Sequence, residues 1–253
     1  MEEEAFIQNK TFGLVPYLVE DGKKHQFALI CPGGGYSVVC ADHEGEAYAK
    51  KLNALGYSAF VLYYRVSENA TYPNPMDDLA HGLQVILDHS AEWNLQTDSW
   101  SLWGSSAGGH LAASFGTENM GFAHYHLPAP KAMILIYPVI TMGQKSEPGT
   151  KHCLIGDHPS RGLIEETSVE KQVSNRYPAT YLWCGLEDTV VDPDNSRMLA
   201  EALSIRQVPF VFDTFEGIGH GVGLGEGTNA ASWFSHAVAF WEAQIQALKD
   251  GGV

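Results

Sequence analysis

The chain has 253 residues and a formal net charge of −15, from 30 Asp plus Glu against 15 Lys plus Arg, with 45% apolar residues. Such a length suits one α/β domain with an ordinary soluble core. The acidic balance excludes nucleic acid and an anionic membrane surface as partners and suits a neutral substrate.

Residues 1–24 are polar and broken by Gly13, Pro16 and Gly22, with an edge strand expected over Thr11–Val19 and a turn at Glu20–Lys23. Gln26–Cys31 is a short apolar run that ends in Pro32–Gly33–Gly34–Gly35–Tyr36. Three glycines after a strand leave backbone N–H groups unscreened by side chains. Asp42–Leu55 reads as a helix closed by Gly56, with His43–Glu44 on its capping or solvated face. Tyr57–Tyr64 is an interior strand, and Pro75 opens a helix over Met76–His89. Ser99–Trp103 is a short strand that runs into Gly104–Ser105–Ser106–Ala107–Gly108, followed by a helix to Phe115. Lys131–Tyr137 is a nearly continuous apolar strand, of the kind covered on both faces.

Residues 141–177 break the rhythm: they are polar, rich in Gly and Pro, and hold one short helix at Pro159–Glu166. The expectation is a small partial cap inserted into a single domain, 1–253. Ala179–Cys184 and Val208–Phe215 are the next strands, with a helix over Asp194–Ile205 between them, N-capped by Asp192. A terminal helix spans Ala230–Leu248, and Gly251–Gly252 is a tail. Strand and helix alternate throughout, which implies a three-layer α/β sandwich around a mostly parallel sheet. Functional groups then gather at the carboxyl ends of the strands.

The G-x-S-x-G pattern centred on Ser106 lies between a strand and a helix, where a sharp turn exposes a nucleophile. A serine hydroxyl needs a base, and the base needs an orienting acid. Among the histidines after Ser106, His220 stands out between Gly219 and Gly221, directly after the last strand. His110 and His236 lie within helices, His124 and His126 in a loop, and His152 and His158 in the expected cap. Asp188 follows a strand end in Gly185–Leu186–Glu187–Asp188; Asp192 reads as a helix cap, and Glu187 as pointing to solvent. The order Ser106, Asp188, His220 fits a serine triad. Ala107 N–H and the N–H groups of Gly34 and Gly35 are the expected oxyanion donors, with Tyr36 N–H a further option. Neither G-K-[ST] nor G-x-G-x-x-G follows the glycines, and no recurring ligand spacing points to a metal or a cofactor.

These residues carry a family resemblance. Cys31–Tyr36, Tyr64–Arg65–Val66, Pro75–Asp78, Gly104–His110, Tyr137–Ile140, Gly185–Asp188 with Val190–Val191, and Gly219–Gly221 together resemble the acetyl esterase/lipase branch of the α/β-hydrolase superfamily. That branch includes acetyl xylan esterase-like carbohydrate esterases, and the likeness runs over about residues 12–248. It implies the same triad and a serine esterase removing short acyl groups, acetyl above all, from acetylated xylo-oligosaccharides. Many relatives carry His where this chain has Pro32, which leaves the mechanism intact and loosens the transfer of oxyanion geometry. Tyr36, Arg65 and Trp183 are the residues expected to shape the substrate pocket. Arylformamidase-like or peptidase-like amide hydrolysis is the alternative chemistry, and a non-enzymatic hydrolase-fold binding protein the alternative class. Four widely spaced cysteines and a start, Met1–Glu4, unlike a secretory leader lead to the expectation of a reduced, cytoplasmic protein. The sequence leaves homo-oligomerisation open.

Overall fold

The computed structural model describes residues 12–250. Thr11, expected to start the edge strand, and the Gly251–Gly252 tail lie outside the described residues.

Among the described residues, seven strands form one sheet: β1 (Gly13–Tyr17), β2 (His25–Cys31), β3 (Ser58–Tyr63), β4 (Leu95–Ser105), β5 (Ala132–Ile136), β6 (Thr180–Gly185) and β7 (Phe210–Phe215). Their spatial order is β1-β3-β2-β4-β5-β6-β7. Only the β1–β3 pairing is antiparallel, with Leu14 opposite Leu62 and Val15 opposite Val61. The other five pairings are parallel. Parallel strands need crossovers, and helices supply them. These are α1 (Ala47–Ala54), α2 (Asn74–Asp88), α3 (Ser106–Phe115), α4 (Pro148–Ile155), α5 (Arg161–Thr167), α6 (Asp194–Ile205) and α7 (Trp233–Asp250).

Alternation along each strand feeds two cores. Phe27, Leu29, Leu102, Met133 and Leu135 point to one face, with Leu79 and Leu83 of α2, Leu111 of α3 and Leu199 of α6. Ala28, Ile30, Trp103, Ile134 and Ile136 point to the other, against Tyr48 and Leu52 of α1 and Trp233 and Trp241 of α7. Because both faces are covered, both sets are apolar, and this is why the strands read as continuous runs.

Three local differences from the sequence reading have physical reasons. β4 begins at Leu95, four residues earlier than expected, because Leu95 and Gln96 pair with His25 and Gln26 at the amino end of β2; the register then shifts between Gln26 and Ala28, where Ser101 is the next partner. The expected helix at Asp42–Leu55 starts as a wide π turn over Asp42–Glu46 before α1 begins. The stretch 141–177 holds α4 as well as α5, so it is more ordered than its composition suggests. Glu147 caps α4 by accepting from Gly149 N and Thr150 N, and Pro148 sits at the first helical position, where no N–H is needed. This β5–β6 connection is also tied to the body of the protein: Asn195 Oδ1 accepts from Ile140 N and Thr141 N, and Val169 N donates to Ile140 O.

Candidate active site

Ser106 sits at the junction of β4 and α3, with φ of +52°, the strained left-handed conformation expected of a sharp strand-to-helix elbow. Its glycines are there for space. A Cβ on Gly104 would lie 2.3 Å from Gly108 O, and one on Gly108 would lie 2.1 Å from Cys31 O. Strand, helix and the end of β2 therefore approach more closely than any side chain permits.

The structure brings the three sequence-selected residues together. His220 Nε2 lies 2.8 Å from Ser106 Oγ, and His220 Nδ1 lies 2.6 Å from Asp188 Oδ2. The second carboxylate oxygen of Asp188 accepts from Val190 N and Val191 N, both at 2.9 Å. Two backbone donors fix that carboxylate in rotation, so its free oxygen faces the imidazole. Asp188 is buried, with 1% of its side chain exposed, while His220 keeps 15%. An imidazole held between a carboxylate and a hydroxyl can take the hydroxyl proton and carry the resulting charge.

His220 rides on the loop after β7, and that loop is pinned. Glu187 is exposed, as expected, but its Oε2 also accepts from Gly217 N at 2.6 Å and Ile218 N at 3.2 Å. Tyr137, at φ +36° after β5, places its ring 4.9 Å from the His220 ring.

The glycine loop passes directly against the elbow. A Cβ on Gly33 would come within 2.8 Å of Ser106 Cβ. Gly33 N–H donates to Glu44 Oε2 at 2.8 Å, so it is already committed. Gly34 (φ +127°) and Gly35 (φ +65°) turn the chain, and Gly34 O accepts from Ser37 N and Val38 N.

Glu44 corrects the sequence reading. It is buried, with 3% exposure, and faces inward from the π turn. While Oε2 holds Gly33, Oε1 accepts from Tyr137 OH at 2.6 Å. Gly223 N in turn donates to Tyr137 OH at 3.2 Å. One carboxylate thus joins the glycine loop, the tyrosine beneath His220 and the segment after His220. The partners lie 11 and 93 residues away, and Glu44 stands between the acids Asp42 and Glu46, so local sequence carries no sign of this link.

The three residues expected to shape the substrate pocket do other work. Tyr36 is fully buried, its hydroxyl 3.0 Å from His110 Nδ1 and its ring against Tyr64. Trp183 is fully buried among Tyr137, Trp233 and Phe215. Large aromatic rings at strand ends fill the core here and reach no open surface. Arg65 is clamped by Asp78, with Nε 2.9 Å from both carboxylate oxygens, and donates to Asn74 O at 2.8 Å. Its planar fork is spent on the fold.

His110, His152 and His236 have other partners. His110 is buried; Nε2 lies 2.8 Å from Thr167 O. A carbonyl only accepts, so Nε2 carries the proton, and Nδ1 accepts from Tyr36 OH. Burial pushes His110 down to about 4, against the opposing pull of the Thr167 carbonyl, so the ring is neutral at pH 7. His152 Nδ1 pairs with Asp157 at 2.6 Å and His236 Nδ1 with Asp213 at 2.9 Å. The His124 ring packs on Tyr125, and His158 is exposed. Among the described residues, no group of three or more His, Cys, Asp or Glu is placed to hold a metal ion. No helix of the described residues is long and apolar enough to cross a membrane.

At the outer edge of the site stands Glu147. A Cβ on Gly35 would lie 4.0 Å from Glu147 Oε2 and 4.0 Å from Thr150 Oγ1. Burial raises the Glu147 carboxyl, but hydrogen bonds from Thr150 Oγ1, Gly149 N and Thr150 N, with the nearby His220, outweigh it and hold it below the usual carboxylate range. The α4 cap is therefore also a fixed negative charge beside the glycine loop.

Comparison with known proteins agrees with this architecture. The BD-FAE family model matches residues 17–203. Endo-1,4-beta-xylanase B of Butyrivibrio fibrisolvens is 29% identical over 246 residues, covering 92% of this chain and 38% of that protein. Acetylxylan esterase of Xylanibacter ruminicola is 34% identical over 114 residues, covering 45% of this chain and 22% of that protein. The chain thus spans well under half the length of these two relatives. Among solved structures, an acetyl ester-xyloside bifunctional hydrolase from Caldicellulosiruptor lactoaceticus superposes with a TM-score of 0.85 at 32% identity, covering 92% of this chain and 88% of that one. An alpha/beta hydrolase enzyme from a deep-sea metagenome library superposes with a TM-score of 0.76 at 26% identity, covering 96% of each chain. With the elbow, the sheet order and these matches together, the chain belongs to the BD-FAE family and has the α/β-hydrolase fold.

Proposed function

We propose that this protein is a serine carboxylic-ester hydrolase that removes short acyl groups, acetyl foremost, from acetylated xylo-oligosaccharides. The observation that carries the reading is the 2.8 Å contact between Ser106 Oγ and His220 Nε2, backed by Asp188. Ser106 Oγ attacks the ester carbonyl carbon as His220 Nε2 takes its proton. The carbonyl oxygen becomes an oxyanion, held by the N–H groups of Ala107, Gly34 and Gly35. Ala107 lies in the first turn of α3, whose leading N–H groups have no partners within the helix. Collapse breaks the bond to the alcohol oxygen, which takes the proton from His220. Water then attacks the acyl-serine with His220 as base; the bond to Ser106 Oγ breaks, Oγ takes the proton back from His220, and the acid departs.

The relatives named for acetyl ester-xyloside and acetylxylan hydrolysis support an acetylated xylose-based alcohol. The β5–β6 connection, through Glu147 and Thr150 beside Gly35, serves as a partial cap over a single domain. Four free thiols suit a reducing, cytoplasmic setting.

A panel of acetyl, longer acyl, amide and formamide substrates, run on wild type beside Ser106→Ala, tests the reading. Acetate release that vanishes in the variant is the expected result. Amide or formamide cleavage above ester cleavage would overturn it, as would labelling by an organophosphonate that persists without Ser106.

A further inference from the structure

A cavity of about 390 Å³ lies between the strap after β3 and helix α4, lined by Ser67, Glu68, Thr71, His152 and Cys153. Its position relative to the glycine loop follows from hydrogen bonds. Ser67 N donates to Tyr36 O at 2.7 Å, and Ser67 Oγ donates to Ser37 O at 2.9 Å. The strap is thereby sewn to the residues that directly follow Gly35. Its far end is sewn to α4, where Tyr72 N donates to Leu154 O at 2.9 Å. On the other wall, α4 begins at Glu147 beside Gly35 and carries His152 and Cys153 one to two turns further on. The cavity is therefore bounded by the same strap and helix that flank the glycine loop.

Its chemistry is that of neither an acyl-chain tunnel nor an anion site. Two hydroxyls, a carboxylate and an imidazole line it, and Cys153 adds a small soft surface. His152 Nδ1 is occupied by Asp157, which leaves Nε2 for a ligand. Carboxylate and hydroxyl acceptors suit a ligand that presents many O–H donors, and they penalise one that brings its own negative charge. The volume falls in the range of small-molecule sites.

Resting on the ester-hydrolase reading above, we infer that this cavity is the subsite for the alcohol side of the substrate and selects an uncharged, polyhydroxylated sugar ester. Ser67, Glu68, Thr71 and His152 take hydrogen bonds with the sugar hydroxyls, while Glu68 and Glu147 turn away alcohols that carry a carboxylate.

The test compares two substrates, acetylated xylobiose and 4-nitrophenyl acetate, in wild type, in a Glu68→Gln/His152→Ala double variant, and in Thr71→Trp, which fills the cavity with an indole. The measured quantity is the ratio of kcat/KM for the sugar ester to that for the aryl ester. Loss of one or two ligand hydrogen bonds lowers it about tenfold in the double variant, through KM on the sugar ester. Thr71→Trp lowers the same ratio by exclusion, so the two variants fail independently if one does not fold. Titration calorimetry with unacetylated xylobiose gives binding without turnover; heat in wild type that is lost in both variants is expected. A ratio unchanged in both variants, or xylobiose binding as well to them as to wild type, overturns the subsite. Absence of any hydrolysis of 4-nitrophenyl acetate by wild type overturns the ester-hydrolase reading instead. An acetylated uronic acid hydrolysed as readily as the neutral sugar ester overturns the charge selection.

Discussion

Glu44 Oε1 accepts the Tyr137 hydroxyl at 2.6 Å while its other oxygen holds Gly33 N–H. Glu44→Gln keeps the shape but replaces one charged acceptor with an amide NH2, so Gly33 N–H keeps only a neutral acceptor and the Tyr137 hydroxyl must turn its own proton away. The expected result is a fall in kcat of about tenfold or more with KM little changed, since distorting the glycine loop proposed to hold the oxyanion costs transition-state stabilisation. Glu44→Ala strands both donors in the interior and costs about 2–5 kcal/mol, seen as a lowered denaturation midpoint. Full activity in Glu44→Gln would make the link purely a packing feature.

Asp188 faces three donors, and only one of them is His220. In the proposed triad, Asp188→Asn keeps its fold but leaves the imidazole in the wrong tautomer, and kcat falls by about 10⁴. Thermal unfolding separates this from damage to the loop: the melting temperature moves little while turnover is lost. Substantial turnover in Asp188→Asn would show that another acid orients His220.

His110 makes folding acid-sensitive. The unfolded chain takes up the proton near pH 6.5, while the folded ring resists until about pH 4. Between these values the unfolded state binds more protons, so stability falls as pH falls, by a total approaching about 3 kcal/mol at the lower end. His110→Gln can donate to Thr167 O and accept from Tyr36 OH without titrating. Melting temperatures measured from pH 7 to pH 4.5 decline more steeply in wild type than in this variant. Parallel curves would show that other groups set the acid limit.

The same substitution has opposite signs at two glycines. Gly104→Ala drives a methyl to 2.3 Å from Gly108 O, a backbone atom that cannot turn aside, and costs about 3 kcal/mol or more. Gly162→Ala, on the exposed side of α5, meets only Ser160 Oγ at 3.9 Å and gains about 0.5 kcal/mol of helix propensity. Denaturant midpoints of the two variants should move in opposite directions.

Much of the site was legible because each of its members stands at a strand end beside residues that bend the chain. Ser106 lies between Gly104 and Gly108, His220 between Gly219 and Gly221, and Asp188 shortly after Gly185. Such positions declare themselves in one dimension. The alternation of apolar runs gave the sheet in the same way, since strands buried on both faces show little else. What stayed hidden depends on pairing across long separations. Glu44 reads as a solvated acid until Tyr137, 93 residues on, is folded beside it. Tyr36 and Trp183 read as pocket aromatics because they follow or end strands; the folded chain spends both on core. Helix α4 stayed hidden because Pro148 and Gly149 read as breakers, and only the capping carboxylate of Glu147 reveals them as a beginning.

The strand order gives the members of the site unequal mechanical backing. β4, the fourth of seven strands, carries Ser106 at its end, with three strands on either side to absorb a disturbance. His220 follows β7, an edge strand paired, among the described residues, only with β6 and partly open to solvent. Peeling β7 from the margin withdraws His220, the proposed base, while Ser106 stays clamped at the centre of the sheet. The proposed proton relay is thus anchored at one end in the middle of the sheet and at the other in its selvedge, and in that reading catalytic competence follows the weaker hem.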